Sequence, residues 1–120
     1  MRVVAIDHVQ LSMPAGEEGR AREFYEDILG LKQIPKPAEL AVRGGAWFEN
    51  DSVKVHLGVE QDFRPARKAH PAFVIEDLRG LIRLLNNKGY AITPAESMGD
   101  IERVHVNDPF GNRIELMTVK

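Results

Sequence analysis

Apolar and polar residues alternate through residues 3–13, which read as a strand. Ala21, Phe24, Tyr25, Ile28 and Leu29 then fall on one helical face, predicting a helix over 17–29. Acidic Glu17 and Glu18 suit its positive end, and Gly30 suits its stop. A short strand is predicted at 31–34, broken by Pro35-Lys36-Pro37. Residues 40–42, 46–49 and 53–59 read as a three-strand meander with turns at Arg43-Gly44-Gly45 and Asn50-Asp51-Ser52. Residues 61–69 form a connector. A strand at 70–75 follows, then a helix capped by Asp77 with Leu78, Leu81, Ile82 and Leu85 as its apolar stripe and Gly89 as its end. Residues 91–93, 102–106 and 113–119 complete the strands, the last two joined by the turn-forming run Asn107-Asp108-Pro109-Phe110-Gly111-Asn112.

This order is a repeat: strand, helix, then strands, twice over. Neighbouring strands with one main helix per half predict an α+β fold with helices on one face. Module one spans about 1–60 and module two about 68–120, within one domain covering 1–120. Each half opens with a histidine and closes on a ligand-type residue followed by leucine. His8 and His56 stand 48 residues apart, and His70 and Glu115 stand 45 apart. Ligand-type side chains at equivalent points of a repeat suggest one site built by pseudo-symmetry.

Strand alternation sharpens the suggestion. Val55 and Leu57 oppose His56; Ile114 and Leu116 oppose Glu115; Val9 and Leu11 oppose His8; Phe73 and Ile75 oppose His70. All four candidates thus lie opposite the more apolar stripe. A single strand histidine is more often a surface or hydrogen-bonded residue than a ligand, but four candidates obeying one facing rule favour metal binding. Two imidazoles and a carboxylate hold a divalent ion while leaving positions open for substrate and water.

Other polar residues read more blandly. His105 lies outside the repeat correspondence and is read as a strand residue with a pocket contact, not a ligand. Asp7 is expected on the strand face opposite His8, away from the site. Asp108 is a turn residue. Arg64, Arg67 and Lys68 read first as a solvated basic connector, with attraction of an anionic substrate or partner as the alternative, and Trp47, Phe48, Phe110 and Met117 read first as core positions, with a pocket lining as the alternative.

Composition narrows the chemistry. The chain has 120 residues, is 43% hydrophobic and 28% charged, and carries a net charge of −2. No basic surplus points to nucleic acid, and no apolar run is long enough for a bilayer. Cysteine is absent. Thiolate zinc sites and cysteine nucleophiles are therefore excluded, a cytoplasmic location is expected, and any metal must be held by His, Asp and Glu.

Three segments carry a family resemblance: Ile6-Asp7-His8-Val9-Gln10-Leu11, Phe24-Tyr25-Glu26-Asp27-Ile28-Leu29-Gly30-Leu31, and Asp108-Pro109-Phe110-Gly111-Asn112-Arg113-Ile114-Glu115-Leu116. With these the chain resembles the vicinal oxygen chelate superfamily. That group includes glyoxalase I, fosfomycin-resistance proteins, methylmalonyl-CoA epimerase, extradiol dioxygenases and bleomycin-resistance proteins. The resemblance implies two βαβββ modules forming a cup-shaped mixed sheet, with helices outside, around a divalent ion (Zn, Ni, Fe, Mn or Co). It puts His8, His70 and Glu115 on the regular ligand positions and His56 on the variable one, which is glutamate in bacterial glyoxalase I and glutamine in the epimerase. Glu115 and His56 are the implied catalytic groups. A homodimer acting on a small molecule, with neither nucleic acid nor membrane as partner, is also implied.

The expected function is metal-dependent Lewis-acid catalysis on a small oxygenated substrate: a lyase or isomerase reaction, thiol transfer, or ring-cleaving dioxygenation. The alternative is a drug- or metabolite-binding resistance protein with the same fold and no turnover. A third reading, an orphan structural or regulatory dimer, leaves the polar cluster merely solvated.

Overall fold

A computed structural model of the chain describes residues 1–119, with side chains over 1–118. It divides into two compact units, Met1–Arg64 and Pro65–Lys120. Each contains one four-stranded mixed sheet, so the fold is α+β with two βαβββ modules.

In the first unit β1 (Val9–Met13) leads into a helix, whose first turn is α1 (Glu18–Arg22) and whose continuation over Glu23–Ile28 is π-helical. The widened turn falls where two adjacent aromatics, Phe24 and Tyr25, are both fully buried. Then come β2 (Lys32–Ile34), the short α2 (Ala38–Ala41), β3 (Ala46–Glu49) and β4 (Lys54–Val59). The strand order is β1-β4-β3-β2, with β1 parallel to β4 and the rest antiparallel. Leu11, Met13, Ala46, Phe48, Val55 and Leu57 are buried and join Phe24 and Tyr25 in the core, where the Tyr25 ring stacks on Phe48 at 5.6 Å. Strand alternation turns Gln10, Trp47 and His56 to the opposite face.

The second unit repeats the plan. β5 (Ala72–Val74), α3 (Leu78–Asn87), β6 (Ile92–Pro94), β7 (Ile101–Asn107) and β8 (Arg113–Val119) give the order β5-β8-β7-β6. Asp77 caps α3 by accepting a hydrogen bond from the Gly80 amide at 3.0 Å. Leu78, Leu85, Val106, Ile114 and Leu116 are buried. Glu115, between the last two on β8, therefore emerges on the other face.

Two predicted elements are different. Residues 3–8 are not a strand: pairing begins at Val9↔Val55, because β4 starts only after the 50–52 turn, and Val3, Val4 and Ile6 are exposed. Residues 40–42 are not a strand either. Pro37 starts a helical turn whose carbonyl accepts from Leu40 and Ala41 amides, and β2 takes the meander position instead.

Gly45 is the tightest backbone position. Its φ is +85°, its amide donates to the Glu18 carboxylate at 2.8 Å, and a Cβ there would lie 2.1 Å from the Leu57 carbonyl oxygen. Gly45→Ala should therefore destabilise the protein by more than about 3 kcal/mol in chemical denaturation, combining left-handed strain with a backbone clash. Gly30→Ala, also at positive φ but facing open space, should cost only about 1 kcal/mol.

Candidate metal centre

The second unit gathers three donors. β7 and β8 pair in a register that sets His105 directly opposite Glu115, while β5 sets Ala72 on the other side. The Glu115 amide donates to the Pro71 carbonyl, which draws His70 alongside. His70 Nε2 lies 3.0 Å from Glu115 Oε1, and His105 Nε2 lies 3.5 Å from the same oxygen. Donor atoms of all three residues fall within 4.8 Å of one another. Arg103 Nη1 approaches that oxygen too, at 3.4 Å.

Proton placement shows what the cluster can hold. His70 Nδ1 is 2.7 Å from the Lys68 carbonyl oxygen, which can only accept, so Nδ1 carries a proton. In the neutral ring the Nε2 lone pair then points at an ionised carboxylate oxygen, two acceptors face to face. A cation between them resolves the conflict, as does a second proton on the ring. A ligating histidine commonly donates its other N–H to a backbone carbonyl in just this way. Among the described residues, buried His105 Nε2 has no partner with hydrogen-bond geometry, only the 3.5 Å ion-pair approach of Glu115. This donor set fits a divalent ion that accepts nitrogen and oxygen.

The local field agrees. Burial alone would raise the Glu115 carboxyl, but the His70 contact, Arg103 and His105 outweigh it and hold it below the usual range. Burial and then the Arg113 charge push the His105 imidazole down, against the opposing pull of Glu115. At neutral pH the cluster therefore presents a carboxylate and an unprotonated His105 ring.

The first unit brings together His8 and His56, whose rings stack at 4.2 Å. Trp47 covers the other face of His56 at 4.0 Å and 5°. His56 is buried; desolvation and then the His8 charge push its imidazole below the ordinary range. Asp7 corrects the expectation that it lies away from His8: its Oδ2 is 2.9 Å from His8 Nδ1. Strand alternation does not apply there, since β1 begins only at Val9. Trp47 is likewise not a core residue but one of the three stacked rings.

The four predicted residues thus form two close pairs, His8 with His56 and His70 with Glu115, one in each unit. Sequence reasoning missed His105 and Arg103. The missing signal was the hairpin: a turn closed by Asn107 and Arg113 pairs residue 105 with 115 automatically.

The model of the Glyoxalase/Bleomycin resistance protein/Dioxygenase superfamily matches residues 5–116. The chain belongs to this superfamily. Members of the glyoxalase superfamily typically use divalent metals, and the His70, His105 and Glu115 donors suit one. The chain is 43% identical to a glyoxalase family protein from Bacillus anthracis, with a TM-score of 0.93 over 100% of this chain and 98% of that one. A glyoxalase/dioxygenase from Nostoc punctiforme aligns at 21% identity and TM-score 0.76, covering 100% and 99%. The fosfomycin resistance protein FosX from Listeria monocytogenes aligns at 14% identity and TM-score 0.78, covering 99% and 96%. At the last two identities the likeness is one of fold. No curated protein matches the chain. Among the described residues no helix is long and apolar enough to cross a membrane.

Trp47, the single tryptophan, reports on His56. Because the fold favours the neutral ring, the unfolded chain takes up the proton first on acidification. Stability contributed by His56 is therefore intact above about pH 6.5 and declines as pH falls through the lowered native value. In metal-free protein, Trp47 emission should drop on acidification with a midpoint below about 6.5, since an imidazolium quenches a stacked indole. His56→Ala should abolish that step.

Proposed function

We propose that this protein is a divalent-metal-dependent enzyme acting on a small oxygenated molecule whose two neighbouring oxygens chelate the ion. The observation that carries this reading is the convergence of His70 Nε2 and His105 Nε2 on one Glu115 oxygen, with the His70 tautomer locked by the Lys68 carbonyl. His70 and Glu115 are the proposed principal ligands, His8 and His56 the further donors that the family pattern supplies, and His105 an additional nitrogen beside them. Asp7 supports the assignment of His8, since a carboxylate on Nδ1 leaves Nε2 as the donating lone pair. We also propose that the protein works as a homodimer in the cytoplasm.

Zn, Ni, Fe, Mn and Co all accept this ligand set. When bound, such an ion supplies Lewis-acid stabilisation of negative charge developing on a substrate oxygen. The residues supply the rest. Glu115, held ionised by His70 and Arg103, is available to accept a proton. His56, held neutral between Trp47 and His8, is a second proton carrier. The aromatic stack fixes its ring plane and keeps water from both faces.

Elemental analysis of protein purified without chelator should find about one divalent ion per chain. Glu115→Ala and His70→Ala should each weaken metal binding by more than about 100-fold, beyond what loss of an outer-shell partner costs. His105→Ala should weaken it by about 10-fold, the scale of a supporting contact. Metal content unchanged in Glu115→Ala would refute the assignment. Turnover of hemithioacetals, of fosfomycin with thiols, or of catechols then separates isomerisation, thiol transfer and ring cleavage, while stoichiometric ligand binding without turnover marks a binding module.

A further inference from the structure

Beside the donor cluster the second unit has a cavity of about 640 Å³, within the size range of small-molecule sites. Its wall includes Arg67, Thr93, His105, Asn107, Phe110 and Arg113. Register places the cavity on the donor face. Thr93 pairs with His105, His105 with Glu115, and Asn107 with Arg113, so these side chains leave the sheet on the same side as Glu115. His105 belongs to both the cavity and the cluster.

The charge in the wall is one-sided. Among the described residues, two guanidinium groups line it and no carboxylate does. Acidic partners occupy basic groups elsewhere: Arg103 has Glu115, Arg79 has Glu102 and Lys54 has Asp7. Neither Arg67 nor Arg113 pairs with a carboxylate among the described residues.

The backbone segments that carry the two arginines are tied to each other. The Arg113 amide donates to the Ala66 carbonyl at 2.8 Å, and the Ala66 amide donates to Asn112 Oδ1 at 3.0 Å. Asn112 is itself buried and tied to Asp108. Gly111, at φ +92°, lets Pro65 pack against it where a Cβ would meet the proline ring at 3.3 Å. The segment carrying Arg67 is thereby laced to the hairpin carrying Arg113. Two guanidinium groups and a side-chain amide in one cavity wall are the donors that a planar or tetrahedral oxyanion needs.

We propose that this cavity is a subsite for an oxyanion group of the substrate, a carboxylate, phosphate or phosphonate, bound by Arg67, Arg113 and Asn107. The inference rests on the reading of the donor face as the substrate face, and it narrows the substrate class to small oxygenated molecules that carry an anionic group. Arg67 and Arg113 are specificity residues for that group, not metal ligands.

The test uses the full chain stripped of metal by a chelator, so that the anion site is read without the ion. Inorganic phosphate and acetate are titrated separately by calorimetry at low salt, and metal content is measured on the same preparations before stripping. Saturable binding of either anion is expected, tighter for phosphate if the group is dianionic and tighter for acetate if it is a carboxylate. Arg67→Ala, at an exposed position that spares the fold, and Arg113→Ala should each weaken it at least 10-fold. Arg113→Lys should recover part of the loss, and Arg79→Ala, on α3 and outside the cavity wall, should leave anion binding within 3-fold of the parent. No saturable binding by the parent, or binding unchanged in both alanine variants, overturns the subsite. A chain that binds phosphate through these arginines but contains no metal keeps the subsite and overturns the metal reading.

Discussion

The buried Asp108–Asn112 turn governs the geometry of the second unit. Asp108 Oδ1 accepts from the Phe110 and Asn112 amides at 2.9 Å each, Asp108 Oδ2 accepts from Asn112 Nδ2 at 3.0 Å, and the Asp108 amide donates to the Asn112 carbonyl. Both side chains are almost fully buried, at 4% and 1% exposure, so every lost bond would leave an unsatisfied group out of water. That network closes the hairpin on Asn107 and Arg113 and thereby fixes which residues of β7 and β8 face each other. A slip by one residue would send Glu115 into the core and Ile114 into the donor cluster.

The two units share a topology and differ in chemistry at matching points. In the first, Trp47 stands opposite His56 and His8 precedes the parallel edge strand. In the second, His105 stands opposite Glu115 and His70 precedes the parallel edge strand. One unit is thus an aromatic stack around a neutral imidazole, the other a carboxylate ringed by two imidazoles and a guanidinium. The same backbone scaffold thus carries an aromatic stack in one unit and a cluster of nitrogen and oxygen donors in the other.

Much of this was legible in the residues. Alternation and helical spacing located β3, β8 and the capped α3, whose signals are local. The repeat singled out His8, His56, His70 and Glu115 as one set, and in each unit two of them lie side by side. What escaped depended on non-local pairing or on proline. Residues 3–8 have strand composition but meet no neighbour strand, and residues 40–42 follow a proline that starts a helical turn. His105 was hidden because the repeat compares β8 with β4, while its partner is the adjacent strand. Asp7 was misread because the strand was begun too early.

The lock on the His70 ring comes from a main-chain oxygen of the connector, not from a side chain. Substitution at Arg67, Lys68 or Ala69 that preserves the backbone path leaves that carbonyl in place. The connector can therefore change its charge beside the neighbouring cavity while the imidazole keeps its tautomer. The ring's orientation and the segment's charge are carried by different atoms of one short stretch, so its side chains can drift without disturbing the imidazole that faces Glu115.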